Sequence, residues 1–120
     1  MPRTKEDFED YKVLHNFVYP DDRLKPWINE SNYTNNYMTD WEVIMDALST
    51  AESMYFGPTV QSLITEVGMK DGMGYCAITL LKKGVNCPFG ETHVHKNKKL
   101  AVYSALISFV KWVNKNYQKM

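Results

Sequence analysis

The chain has 120 residues, 44% hydrophobic and 13% aromatic, with 14 acids against 14 bases. That length and composition describe a single globular domain over 1–120 and exclude a disordered chain. No run approaches the roughly 18 apolar residues of a membrane span, the charged start has no secretory apolar segment, and two cysteines make no disulfide framework.

The balance of charge hides a split. Residues 1–66 carry 12 acids and 5 bases, a net of −7, and residues 67–120 carry 2 acids and 9 bases, a net of +7. The two halves can neutralise each other in the fold, or the basic half can face an anionic partner. With Cys76 and Cys87 read as reduced thiols, the expected compartment is the cytoplasm.

In chain order, Thr4 followed by Asp7 reads as a helix start, and Phe8, Tyr11, His15 and Val18 continue at helical spacing until Pro20 ends the run. His15 on that stripe reads as a packing residue rather than a ligand. From 19 to 37 the pattern dissolves into prolines, aspartates and asparagines, the chemistry of turns. Trp27, Ile28, Tyr33 and Tyr37 within it predict an arm laid on the body. Residues 1–36 are thus a helix and a surface arm, and 37–120 the core.

A second capping pattern, Thr39 with Glu42, opens a helix whose apolar stripe is Trp41, Ile44, Met45, Leu48 and Ala51. Gly57-Pro58 closes it. Residues 59–67 alternate as a strand, with Leu63, Thr65 and Val67 on one side and Ile64 and Glu66 on the other. Residues 69–74 read as a hairpin loop longer than the two-residue ideal. Residues 75–82 are apolar on both faces, which predicts a central strand. Gly84, Asn86 and Pro88-Phe-Gly90 form a turn, and 92–95 a short third strand. Asn97 caps a long final helix with a wide apolar face (Leu100, Tyr103, Leu106, Ile107, Val110, Val113, Tyr117) and a basic edge at Lys111, Lys115 and Lys119. The fold class is therefore α+β. Two or three helices pack on one face of a small antiparallel sheet, in the order helix, arm, helix, strand, strand, third strand, long helix.

Three groups of residues can carry function. His93, His95, Lys96, Lys98 and Lys99, bordered by Lys82 and Lys83, surround the start of the final helix, where backbone N–H groups favour anions. Lysines there oppose the helix dipole, so they call for a partner. Trp27, Tyr33, Tyr37 and Trp112 are aromatics able to anchor an interface. Cys87, His93 and His95 could hold zinc with an open position, although no pair at rigid metal-binding spacing supports them. No cofactor is implied. Ser49, Ser53, Ser62 and Ser104 have no local base, and Asp71-Gly72-Met73-Gly74 matches no phosphate loop. Asp40, Glu42 and Asp46 form an ordinary solvent-side carboxylate face.

Two resemblances rest on these residues. Tyr37-Met-Thr-Asp-Trp41 before a helix, the short sheet, then Ala101-Val-Tyr103 and Phe109-Val-Lys-Trp-Val-Asn114, resemble small uncharacterised proteins of tailed phages and gut bacteria, relatives of the phage α-β-α sandwich domain. That resemblance covers about 33–117 and implies a phage-encoded accessory protein in the host cytoplasm, with no catalytic residues to carry over. Lys98-Lys99-Leu100-Ala101 is similar to the start of the last helix in double-stranded-RNA-binding domains, where lysines meet phosphates. Val102 and Tyr103 depart from that pattern, as does the zero net charge. The leading expectation is a non-enzymatic protein that binds a protein partner or its own copy. Binding of duplex RNA or a nucleotide by the basic entrance is the alternative, and a metal-dependent hydrolase the third reading.

Overall fold

Pro20 and the acids that open the first helix set its limits in the computed structural model, which describes residues 5–22, 25–54, 60–82 and 89–117. Helix α1 (Lys5–Val18) has Glu6 and Asp7 in its first turn, where the helix dipole favours negative charge. Its Leu14 is fully buried, with Tyr11, Phe17 and Val18 half-buried around it. Thr4, Gly57-Pro58, Lys83, the turn at Gly84, Asn86 and Pro88, Cys87 and Lys119 lie outside the described residues, as does the side chain of Lys82.

Asparagine side chains shape the arm that follows. The Asn29 N–H donates to Asn32 Oδ1 at 2.7 Å, the Ser31 N–H to Asn29 Oδ1 at 2.8 Å, and Asn32 Nδ2 to the Trp27 carbonyl at 3.0 Å. Such side chains satisfy backbone groups that no helix or sheet serves. Tyr33 then sets its ring, tilted, 5.1 Å from Phe8 and 5.0 Å from Tyr11, and Tyr37 lies 5.9 Å from Tyr11. Asn35 Nδ2 donates to the Tyr103 hydroxyl at 3.0 Å. The arm is thus fastened to the body by tyrosines.

A single turn, α2 (Asn36–Thr39), leads into α3 (Trp41–Glu52). The cap of α3 is Asp40, not Thr39. Its carboxylate accepts the N–H groups of Glu42 at 3.0 Å and Val43 at 3.3 Å, whereas Thr39 is still inside α2. The core stripe shifts with it: Ile44, Ala47, Leu48 and Ala51 are buried, and Trp41 stands at the rim.

Strands β1 (Val60–Lys70), β2 (Met73–Lys82) and β3 (Phe89–His95) form an antiparallel sheet in the order β1-β2-β3. The first hairpin is tighter than the sequence pattern suggests. Lys70 pairs with Met73, leaving only Asp71 (φ 54) and Gly72 (φ 77) as the turn. Two successive positive φ angles match the right-handed twist of the strands, and Asp-Gly is a residue pair that accepts them. Strand β2 is central as expected, but only one of its faces is closed. Gly74, Cys76, Ile78 and Leu80 are buried, while Tyr75, Ala77, Thr79 and Leu81 are half-exposed.

The final helix α4 (Lys98–Tyr117) lies across β2 and β3, α3 packs against α4 and β1, and α1 packs on α4 and α3 rather than on the sheet. Covered from both sides, α4 buries Ala101, Val102, Tyr103, Ala105, Leu106, Ile107, Phe109, Val110 and Val113. The architecture is α+β, with every helix on one side of the sheet. Lys111 Nζ reaches Asp10 Oδ1 at 2.7 Å, so the basic and acidic halves do meet, across α4 and α1. Among the described residues no helix is long and apolar enough to cross a membrane.

Candidate functional site

The strand register decides where the histidines go. His93 pairs with Cys76 and His95 with Gly74, so both share the helix-facing side of the sheet. The His95 Nδ1 accepts the Asn97 N–H at 3.1 Å, and Asn97 Oδ1 accepts the Lys99 N–H at 2.9 Å. The Asn97 carbonyl takes the N–H groups of Leu100 and Ala101. The expected cap is therefore present, and it uses several of the donors on which an anion would rely.

The lysines at this entrance have partners in the fold. Lys99 Nζ donates to the Thr39 carbonyl at 3.3 Å, at the end of α2, and Lys98 Nζ sits 5.9 Å above the Trp41 ring. Their conflict with the α4 dipole is offset by a carbonyl and an aromatic face from the preceding helices. Lys96 is exposed. A shallow depression of about 240 Å³ remains between Trp41, Asn97, Lys98 and Lys99. Of the seven-residue patch, His93 turns to α4 and His95 folds back on the turn, while Lys83 and the side chain of Lys82 lie outside the described residues.

Two of the four candidate interface aromatics are packed inside the fold and present no surface to a partner. Tyr33 and Tyr37 are each 4% exposed, consumed by the contacts that hold the arm. Burial, and then the neighbouring tyrosines, push the Tyr37 hydroxyl well above its ordinary pKa. Trp112 is half-buried against Phe89 and Phe109, and Trp27 stands 67% exposed on the arm. Among the described residues no group of three or more His, Cys, Asp or Glu is placed to hold a metal ion. The Cys76 thiol is pushed up to about 12, chiefly by burial, which keeps it protonated and inert.

Two arrangements were not visible locally. The first is a polar array across β3 and α4: His93 Nδ1 lies 2.9 Å from Ser104 Oγ, His93 Nε2 lies 2.8 Å from Glu91 Oε1, and Ser108 Oγ donates to the same Glu91 oxygen at 2.6 Å. Ser104, which has no base near it in sequence, acquires one through the strand–helix crossing. The bonds from Ser108 and His93 hold the Glu91 carboxyl below its ordinary range.

The second is the face of the sheet that no described helix covers. Ile64, Glu66 and Lys70 of β1, Tyr75, Ala77, Thr79 and Leu81 of β2, and Thr92 and Val94 of β3 share it by register. Ile64 is 50% and Val94 60% exposed. The Tyr75 ring lies over Gly68, and its hydroxyl donates to Glu66 Oε2 at 2.9 Å. A groove of about 580 Å³ runs between Glu66, Lys70, Asp71, Met73, Tyr75, Thr92 and Val94. The signal was present in the two-sided apolar pattern of β2, which reads equally well as a strand covered twice or as one with a sticky outer face.

Among the described residues, fold and sites together define an α+β protein whose three-stranded sheet has one face that no helix covers. No protein-family model, curated protein or solved structure matches the chain significantly.

Proposed function

We propose that this chain is a binding protein whose working surface is the bare face of its sheet, and that its first partner is a second copy of itself. The observation that carries this reading is the placement of Ile64 and Val94, half-exposed or more, on the side opposite every helix. The register sets them on the two outer strands, on either side of Tyr75 and Ala77, and large apolar side chains exposed on one sheet face are a mark of association. Glu66 and Lys70 on the same face are self-complementary, because a two-fold axis can set each opposite the other in the partner copy. Three strands about 4.8 Å apart and about 33 Å long offer roughly 450 Å² per copy. That is near the lower limit for a specific interface, so the dimer is expected to be weak and concentration-dependent. The resemblance to phage accessory proteins agrees with this role in a host cytoplasm. Sedimentation equilibrium should show a monomer–dimer exchange in the micromolar range that Ile64→Lys with Val94→Lys abolishes at unchanged melting temperature. A monomer at all concentrations up to about 1 mM, where a free energy of only about 4 kcal/mol would register, would refute the dimer.

Duplex RNA is the second reading, and a specific order of elements favours it. The run α3-β1-β2-β3-α4, with both helices on one face and Lys98-Lys99 opening α4, follows the helix–three strands–helix plan of duplex-RNA binders. Electrostatics oppose it, since Glu42, Asp46 and Glu52 are exposed on α3 with no base in that helix. If RNA binds here, raising salt should weaken it steeply, and Lys98→Ala with Lys99→Ala should lower the salt slope by about two. Affinity unchanged by that pair of substitutions would remove this reading.

A further inference from the structure

The Ser104–His93–Glu91 array fixes its own protons. An ionised carboxylate only accepts, so the 2.8 Å contact between His93 Nε2 and Glu91 requires the proton on Nε2. In the neutral imidazole Nδ1 is then the lone pair, and across the 2.9 Å contact the Ser104 hydroxyl donates to it. Ser108 donates to the other side of the chain of contacts at Glu91. Nucleophile, base and orienting carboxylate stand in the hydrogen-bonded sequence that activates a serine. Ser104 is exposed, so an electrophile can reach it.

We propose that Ser104 is an activated nucleophile with esterase-type reactivity, His93 its general base and Glu91 the group that orients His93 and stabilises its cation. This goes beyond the binding reading and is independent of it, since the array faces the helices and the proposed interface faces away from them. Ser104 Oγ bonds to the carbonyl carbon of a carboxylic ester while its proton passes to His93 Nδ1. The bond from that carbon to the alkoxy oxygen breaks, and the departing alcohol takes the proton from Nδ1. Water then attacks acyl-Ser104, giving one proton through His93 to Oγ, so that ester and water become acid and alcohol. Among the described strands β3 pairs with β2 alone, and the other edge of such a strand can turn backbone N–H groups toward an oxyanion.

The seam between β3 and α4 suggests the substrate class. Ser104, Ser108 and Trp112 recur every four residues on α4, and the Trp112 ring meets Phe89 of β3 at 5.5 Å. An apolar acyl chain laid along the seam would reach those rings about 12 Å from the serine. Esters of apolar acids are therefore the class expected, with p-nitrophenyl octanoate as a working substrate.

A fluorophosphonate probe tests the site directly. Intact mass should show one adduct on the wild-type protein, mapped by peptide analysis to Ser104, with octanoate ester hydrolysis lost on modification. Ser104→Ala should abolish both, Ser108→Ala should retain the adduct, and His93→Gln should slow labelling by about 10²-fold with the fold intact by circular dichroism. A purely structural clasp would lower the melting temperature in these variants without any labelling. No adduct on Ser104 of the wild-type protein, or labelling at the same rate in folded His93→Gln, would overturn the proposal. Should His93→Gln fail to fold, the mapped adduct and hydrolysis by the wild-type protein decide the matter alone.

Discussion

Replacing Gly74 by alanine is expected to cost about 3 kcal/mol of stability, far more than a single methyl group suggests. A Cβ at this position of β2 would stand 2.6 Å from Lys98 Cα and 2.8 Å from Lys98 N. Both are backbone atoms of the first turn of α4, so neither can swing aside as a long side chain would. The helix entrance must lift off the strand, taking Lys98 from Trp41 and loosening the turn held by His95 and Asn97. The ordinary gain of alanine over glycine in a strand, about 0.5–1 kcal/mol, works against the loss without cancelling it. Urea unfolding should show a lower midpoint at unchanged slope. Gly90→Ala is the control. There the nearest atom, Thr79 Cγ2, is 3.9 Å away, and stability should hold or rise slightly.

A loss of about 4 kcal/mol is expected for Phe109→Ala. Phe109 is fully buried in α4, its ring 5.3 Å from Phe89 in an edge-on contact and 6.4 Å from Trp112 in a stacked one. Truncation removes one of the three rings that join α4 to β3, and close-packed neighbours relax only partly into the cavity it leaves. For a domain whose total stability is about 5–15 kcal/mol, that is a large share. Thermal melting followed by near-ultraviolet circular dichroism should report it, since Trp112 loses its asymmetric surroundings in the same event.

The order of elements and the apolar face of α4 could be read from the chain because both depend on periodicity within one element. Pro20, Asp-Gly at 71–72 and the stripe at Leu106, Val110 and Val113 act over a few residues. Errors of detail came from competing local signals: Thr39 and Asp40 are both good caps, and only the extra turn of α2 decides between them. Tyr33 and Tyr37 illustrate a different limit. An aromatic in a turn-rich segment is equally suited to solvent-side anchoring and to packing, and the choice depends on α1 lying alongside. The Ser104 array is the extreme case. Glu91 and His93 alternate to one face of β3, Ser104 and Ser108 sit one turn apart on α4, and nothing short of the strand–helix crossing brings the two pairs together. A charge-based reading of His93 as part of a lysine patch was bound to miss it, because its partner is the only acid in β3.

Burial of α4 on both sides has a consequence for synthesis. The ribosome delivers α1, the arm, α3 and all three strands before the helix on which they converge. Until residues 101–113 emerge, Leu14, Ile44, Ile78 and Leu80 lack the helix on which they converge, and of the described helices only α3, against β1, lies on the sheet. Nascent chains halted ahead of α4 are therefore expected to be protease-sensitive and to engage holding chaperones. Acquisition of the native state is then a single late event, set off by the arrival of one helix.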